Sequence, residues 1–110
     1  MTDKPLNLSE GLSLKQKLHS ETALIAWHEL QRFFAQGVVI VISDSLNLVE
    51  TAALFADDKA DDISSLLNAD AIAYPSNGQA QKWYDSDAVL WSVVVAPYVL
   101  VQEQRNDVIN

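Results

Sequence analysis

Apolar residues change their spacing several times along the chain, and each change marks an expected element. Ser13 and Gln16 have capping-box spacing, which predicts a short helical turn through Leu18. Ser20 has the character of an N-cap, with Glu21 in the first turn where the helix dipole favours an anion. At 100° per residue, Ala23, Ala26, Trp27, Leu30, Phe33 and Phe34 gather on one broad face, the signature of a long amphipathic helix. Gly37 then suits the left-handed residue that ends it.

Val38 to Ile42 is an unbroken apolar run, too short for a helix, and reads as a central strand covered on both sides. Asn47 is an expected cap, with Glu50 at the capping-box position and Leu48, Val49, Ala52, Ala53 and Ala56 facing inward. Asp58 reads as the cap of a third helix through Ile63, Leu66 and Leu67. A short strand is expected from Ala71 to Tyr74, and a helix opened by Ser76 and Gln79 that buries Ala80 and Trp83. Val89–Val95 and Tyr98–Glu103 read as two strands joined at Ala96–Pro97, since proline supplies no ladder donor.

The order α-β-α-α-β-α-β-β predicts one small α+β domain over residues 13–104. Its mixed sheet has about four strands with helices packed on it. Residues 1–12 read as a flexible N-terminal arm and 105–110 as a C-terminal tail. Trp27, Phe33, Phe34, Trp83 and Trp91 are expected to dominate the core, with Tyr84 and Tyr98 as interface candidates.

Charge sharpens this picture once it is located. The 110 residues carry a formal net charge of −8 and no cysteine. Residues 1–43 are neutral, whereas 44–87 hold nine acids against Lys59 and Lys82. Such a surface repels nucleic acid and anionic membranes, so neither is an expected partner. The missing cysteines exclude disulfide scaffolds and thiolate metal or nucleophile sites, and they suit a reducing cytosol. The run from Ala88 to Val101 is interrupted by Ser92 and Pro97 and is shorter than the roughly 20 residues of a spanning helix. The first ten residues have no apolar signal-peptide core, so a cytoplasmic location is expected.

Chemistry-bearing motifs are sparse. The three glycines, Gly11, Gly37 and Gly78, form neither a dinucleotide fingerprint nor a P-loop. No G-x-S-x-G elbow occurs. His19 and His28 lack zinc-pair spacing. His28, Glu29 and Arg32 share the polar side of the first long helix, where Ile25 is an odd apolar neighbour; these four make the candidate functional surface. The acidic patch Asp57, Asp58, Asp61 and Asp62 offers oxygen ligands but no EF-hand spacing, so helix-start roles are the simpler reading and no metal is expected. Asp85 and Asp87 form a D-x-D expected in a loop. Val49 to Leu67 mimics a helix-turn-helix, but Asp61 and Asp62 stand where a recognition helix needs cations, so a packing αα-hairpin is expected.

AWHELQRFFA (residues 26–35), followed by GVVIV, LNLVETAA (46–53), the Asp57–Asp58 pair and VVVAPYVLVQE (93–103) resemble a family of short bacterial proteins that form a domain of unknown function. The resemblance implies a small free-standing cytoplasmic bacterial protein and brings no activity, cofactor or catalytic residue with it. Similar proteins often have Trp at the position of Tyr98.

With no catalytic constellation and no cofactor motif, the chain reads as a non-enzymatic interaction or regulatory module, with a protein partner or a second copy as its company. The β-branched C-terminal strands are the expected pairing edge. The alternative is a small enzyme or ligand-binding protein that uses the His28, Glu29 and Arg32 face with an aspartate brought near by folding.

Overall fold

The computed structural model describes residues 13–104. The arm expected at 1–12 and the tail expected at 105–110 lie outside these residues. Along the chain run α1 (Leu14–Glu21), β1 (Ala23–Ala26), α2 (Trp27–Ala35), β2 (Val39–Ile42), α3 (Leu48–Ala56) and α4 (Ala60–Asn68). They are followed by β3 (Ile72–Ala73), α5 (Asn77–Asp85), β4 (Val89–Val95) and β5 (Tyr98–Gln102).

The single long helix expected from Ser20 to Gln36 is split by a strand. Ser20 does not cap a helix; it lies in the last turn of α1 and donates its hydroxyl to the Lys17 carbonyl at 2.8 Å. Thr22 closes α1, its Oγ1 donating to the Leu18 carbonyl at 2.7 Å. Ala23–Ala26 then pairs antiparallel with β4, Ile25 opposite Leu90, and Trp27 N–H extends the ladder to the Ala88 carbonyl at 2.8 Å. The non-local partner outweighs the local helical period, and the sheet gains a fifth strand.

Strand order is β1-β4-β5-β2-β3, with β2 and β5 parallel and every other neighbour antiparallel. β2 is an interior strand as its apolar run implied, but β5 is the middle one. Alternation sends the two halves of each strand to two separate cores. On one face Ile40, Ile42, Val93 and Leu100 meet Leu18 of α1 and Leu48, Ala52 and Ala53 of α3. On the other, Val39, Leu90, Val99 and Val101 meet Trp27 and Leu30 of α2 and Ala80 and Trp83 of α5. The αα-hairpin of α3 and α4 covers the first face, with Ile63 and Leu66 half-buried against it. Thr51 is buried on α3 and donates its hydroxyl to the Asn47 carbonyl, whereas Ala56 is exposed.

Three caps read from the sequence start helices as expected. Ser13 and Gln16 form the reciprocal box at α1, Asn47 Oδ1 accepts from Glu50 N–H at 2.9 Å, and Ser76 Oγ accepts from Gln79 N–H at 3.0 Å. Helix ends are more uniform still. After α2, α3, α4 and α5 the second residue beyond the helix is left-handed: Gly37 (φ 77°), Asp58 (53°), Asp70 (59°) and Asp87 (52°). The next N–H reaches back five residues each time, Val38 to Phe33, Lys59 to Leu54, Ala71 to Leu66 and Ala88 to Trp83, at 2.9–3.1 Å. The left-handed residue's own N–H bonds the carbonyl three back. These are four Schellman motifs. Asp58 therefore ends α3 rather than capping α4, whose N-cap is Lys59 without a side-chain bond.

Candidate functional site

The four residues of the candidate surface divide between two elements. Ile25 sits on β1, half-buried against the Trp27 cluster, which explains an apolar residue that looked misplaced on a helix. His28, Glu29 and Arg32 lie on α2, but Arg32 places its guanidinium over the Phe33 ring, 4.7 Å from the centroid, and makes no ion pair with Glu29 among the described residues.

Folding does bring an aspartate to His28. The Schellman turn after α5 projects Asp87, whose Oδ1 lies 2.9 Å from His28 Nε2. The edge of the His28 ring packs against Tyr84 of α5, with centroids 5.1 Å apart. A histidine–carboxylate bond of this kind can orient an acid/base imidazole. Here, however, the side chains are 47% and 83% exposed, so the pair joins two elements at the surface and is worth at most about 1 kcal/mol. Among the described residues no hydroxyl is hydrogen-bonded to His28.

The acidic patch spreads over helix ends. Asp57 is the C-cap residue of α3, Asp58 the left-handed residue after it, and Asp61 and Asp62 lie in the first turn of α4 where N–H groups favour carboxylates. Asp85 accepts from Gln81 Nε2 at 2.9 Å along α5. No three acidic or histidine side chains converge in a metal-holding group among the described residues.

Two features escaped the sequence reading. One is a cleft of about 400 Å³ between α2 and α5, walled by Trp27, Phe34 and Tyr84 and fringed by the carboxamides of Gln31, Asn77 and Gln81. The amide spacing, four residues apart on each helix for Trp27–Gln31 and Asn77–Gln81, was a usable signal only once α2 and α5 were known to be neighbours. The other is apolar and lies at the β1 edge. Trp91, expected in the core, is 39% exposed, and with Leu24 at 43% and Val89 at 38% it forms a bare patch on the α1 side of the sheet. Among the described residues, the helices of that face leave this corner uncovered. β4 and β5, the expected pairing edge, are both interior, and the sheet edges are β1 and β3.

No helix among the described residues is long and apolar enough to cross a membrane. No curated protein matches the chain. Among solved structures, it is similar to the NMR solution structure of PA1075 from Pseudomonas aeruginosa, with 34% sequence identity and a TM-score of 0.75. That match covers 96% of this chain and 99% of the other. A family model described as a protein of unknown function matches residues 13–103. From Ser13 of the first cap to Glu103 beyond the last strand, the chain thus belongs to the DUF2288 family.

Proposed function

We propose that the protein is a non-enzymatic interaction module of the bacterial cytoplasm that pairs with a second copy of itself through β1. The supporting observation is the edge itself. Ala23–Ala26 has no charge, proline or bulge, the devices by which exposed edges avoid pairing, and no strand among the described residues lies on its outer side. Leu24, Val89 and Trp91 continue the apolar surface beside it. The acidic turn between α3 and α4 is associated with the opposite edge, since α4 packs on β3, so its charge does not oppose the approach of two β1 strands. Two copies related by a twofold axis would join their sheets into one.

Size-exclusion chromatography with light scattering tests the reading. A dimer at micromolar concentration that becomes monomeric in Leu24→Lys and in Trp91→Lys supports it. A strictly monomeric wild-type chain at that concentration overturns it.

The His28–Asp87 bond favours the other reading, a small enzyme or ligand-binding protein working through the His28, Glu29 and Arg32 face. That pair stands in water, where its power to orient an imidazole is small, so the interaction module is the better-supported function.

A further inference from the structure

Trp27 and Trp83 are both in the core, 1% and 3% exposed, with ring centroids 4.9 Å apart. Their indole N–H groups fare differently. Trp83 donates to the Glu103 carboxylate at 2.8 Å. Trp27 Nε1–H is buried and has no acceptor, alone in this respect among the side chains of the described residues. A buried donor left unmade costs about 1–3 kcal/mol, and native interiors satisfy the large majority of such groups.

Trp27 is also a wall of the α2–α5 cleft. A second compartment of about 350 Å³, reaching Tyr74 and Pro75, meets the first at Phe34 and Asn77. Each compartment alone is within the range of small-molecule sites, roughly 300–1,000 Å³. No charged side chain lines either. What lines them are aromatic faces, which favour a flat ring, and carboxamides, each of which both donates and accepts.

From these observations we infer that the cleft binds an uncharged, planar ligand bearing a carbonyl-type acceptor, and that a small outward turn of the buried indole lets this acceptor receive the Trp27 Nε1–H. The ring lies among Phe34, Tyr84 and Trp27, and the ligand's amide-like edge meets Gln31, Asn77 and Gln81. A site whose donor is otherwise unpaired discriminates strongly for the acceptor, because the same ring without it leaves the donor empty. The competing arrangement is internal: Gln31, one turn beyond Trp27, could turn its own carbonyl onto the indole.

Benzamide is a suitable probe, because it carries both the ring and the carboxamide, and toluene is the matched ring without an acceptor. In a protein labelled with ¹⁵N-tryptophan, the three indole N–H signals report separately on Trp27, Trp83 and Trp91. Benzamide at millimolar concentration is expected to move the Trp27 signal saturably, while Trp83, held by Glu103, and Trp91, on the other sheet face, stay in place. Toluene at the same concentration is expected not to reproduce the shift. Asn77→Ala, an exposed change at the start of α5, is expected to weaken benzamide binding several-fold, and Trp27→Phe about tenfold, one hydrogen bond's worth. If Trp27→Phe fails to fold, the wild-type titration and Asn77→Ala decide the matter. A Trp27 signal unmoved by benzamide, as the Gln31 arrangement requires, overturns the inference, and so does an equal shift with toluene.

Discussion

The indole N–H of Trp83 meets the Glu103 carboxylate at 2.8 Å, tying α5 to the residue that follows β5. The indole is buried and the carboxylate is at the surface, so removing the acceptor strands a donor that water cannot readily reach. Glu103→Ala is expected to lower unfolding stability by about 1–2 kcal/mol, and Glu103→Gln by less, because its carbonyl still accepts. Urea unfolding measures both. Equal midpoints for the alanine variant and the wild type would show that the bond has no net worth.

Leu100 is fully buried at the centre of the middle strand, between Val93 and Ile40 on one face. Leu100→Ala is expected to cost about 2–5 kcal/mol, through lost burial and the cavity left behind. Against a total of roughly 5–15 kcal/mol for a domain, that is enough to lower the thermal midpoint by many degrees. A loss below about 1 kcal/mol would mean that the two cores repack freely.

Asn47 and Ser76 cap helices on opposite faces of the sheet. Each change to alanine is expected to cost about 1 kcal/mol. Having no shared partner, the two losses are expected to add within about 0.5 kcal/mol in the double variant. A marked departure from additivity would reveal coupling through the sheet.

Asp70 combines a left-handed backbone with a carboxylate at the negative end of α4. Glycine removes both penalties at some cost in unfolded-chain entropy, so Asp70→Gly is expected to raise stability by about 0.5 kcal/mol. Asp70→Ala keeps a β-carbon in the left-handed region without aspartate's tolerance for it and is expected to lower stability. The dipole share fades in high salt and the backbone share does not, so denaturant curves at two salt concentrations separate them.

Local chemistry made much of the fold legible. The caps at Ser13, Asn47 and Ser76 and the turn at Pro97 depend on neighbours a few residues away, and they stand where the pattern put them. β1 was hidden because Ala23–Ala26 continues a helical period and becomes a strand only through Leu90 and its neighbours, more than sixty residues on. Ile25 was the clue, an apolar residue on a polar helix face. Trp91 looked like core for a related reason: its exposure depends on how far the helices extend over the sheet, which no local pattern records. An aspartate does lie against His28, but the spacing could not reveal that Asp87 would be the one.

The repeated left-handed helix end separates surface charge from architecture. Asp58, Asp70 and Asp87 hold there the left-handed backbone conformation that glycine adopts at Gly37. Glycine at all three would take the formal net charge from −8 to −5 while every helix still stopped at the same residue. The acidity of this chain can thus change at these turns while its fold is kept. Electrophoretic mobility and resin behaviour can then be adjusted at Asp58 and Asp70 without touching the β1 edge or the α2–α5 cleft.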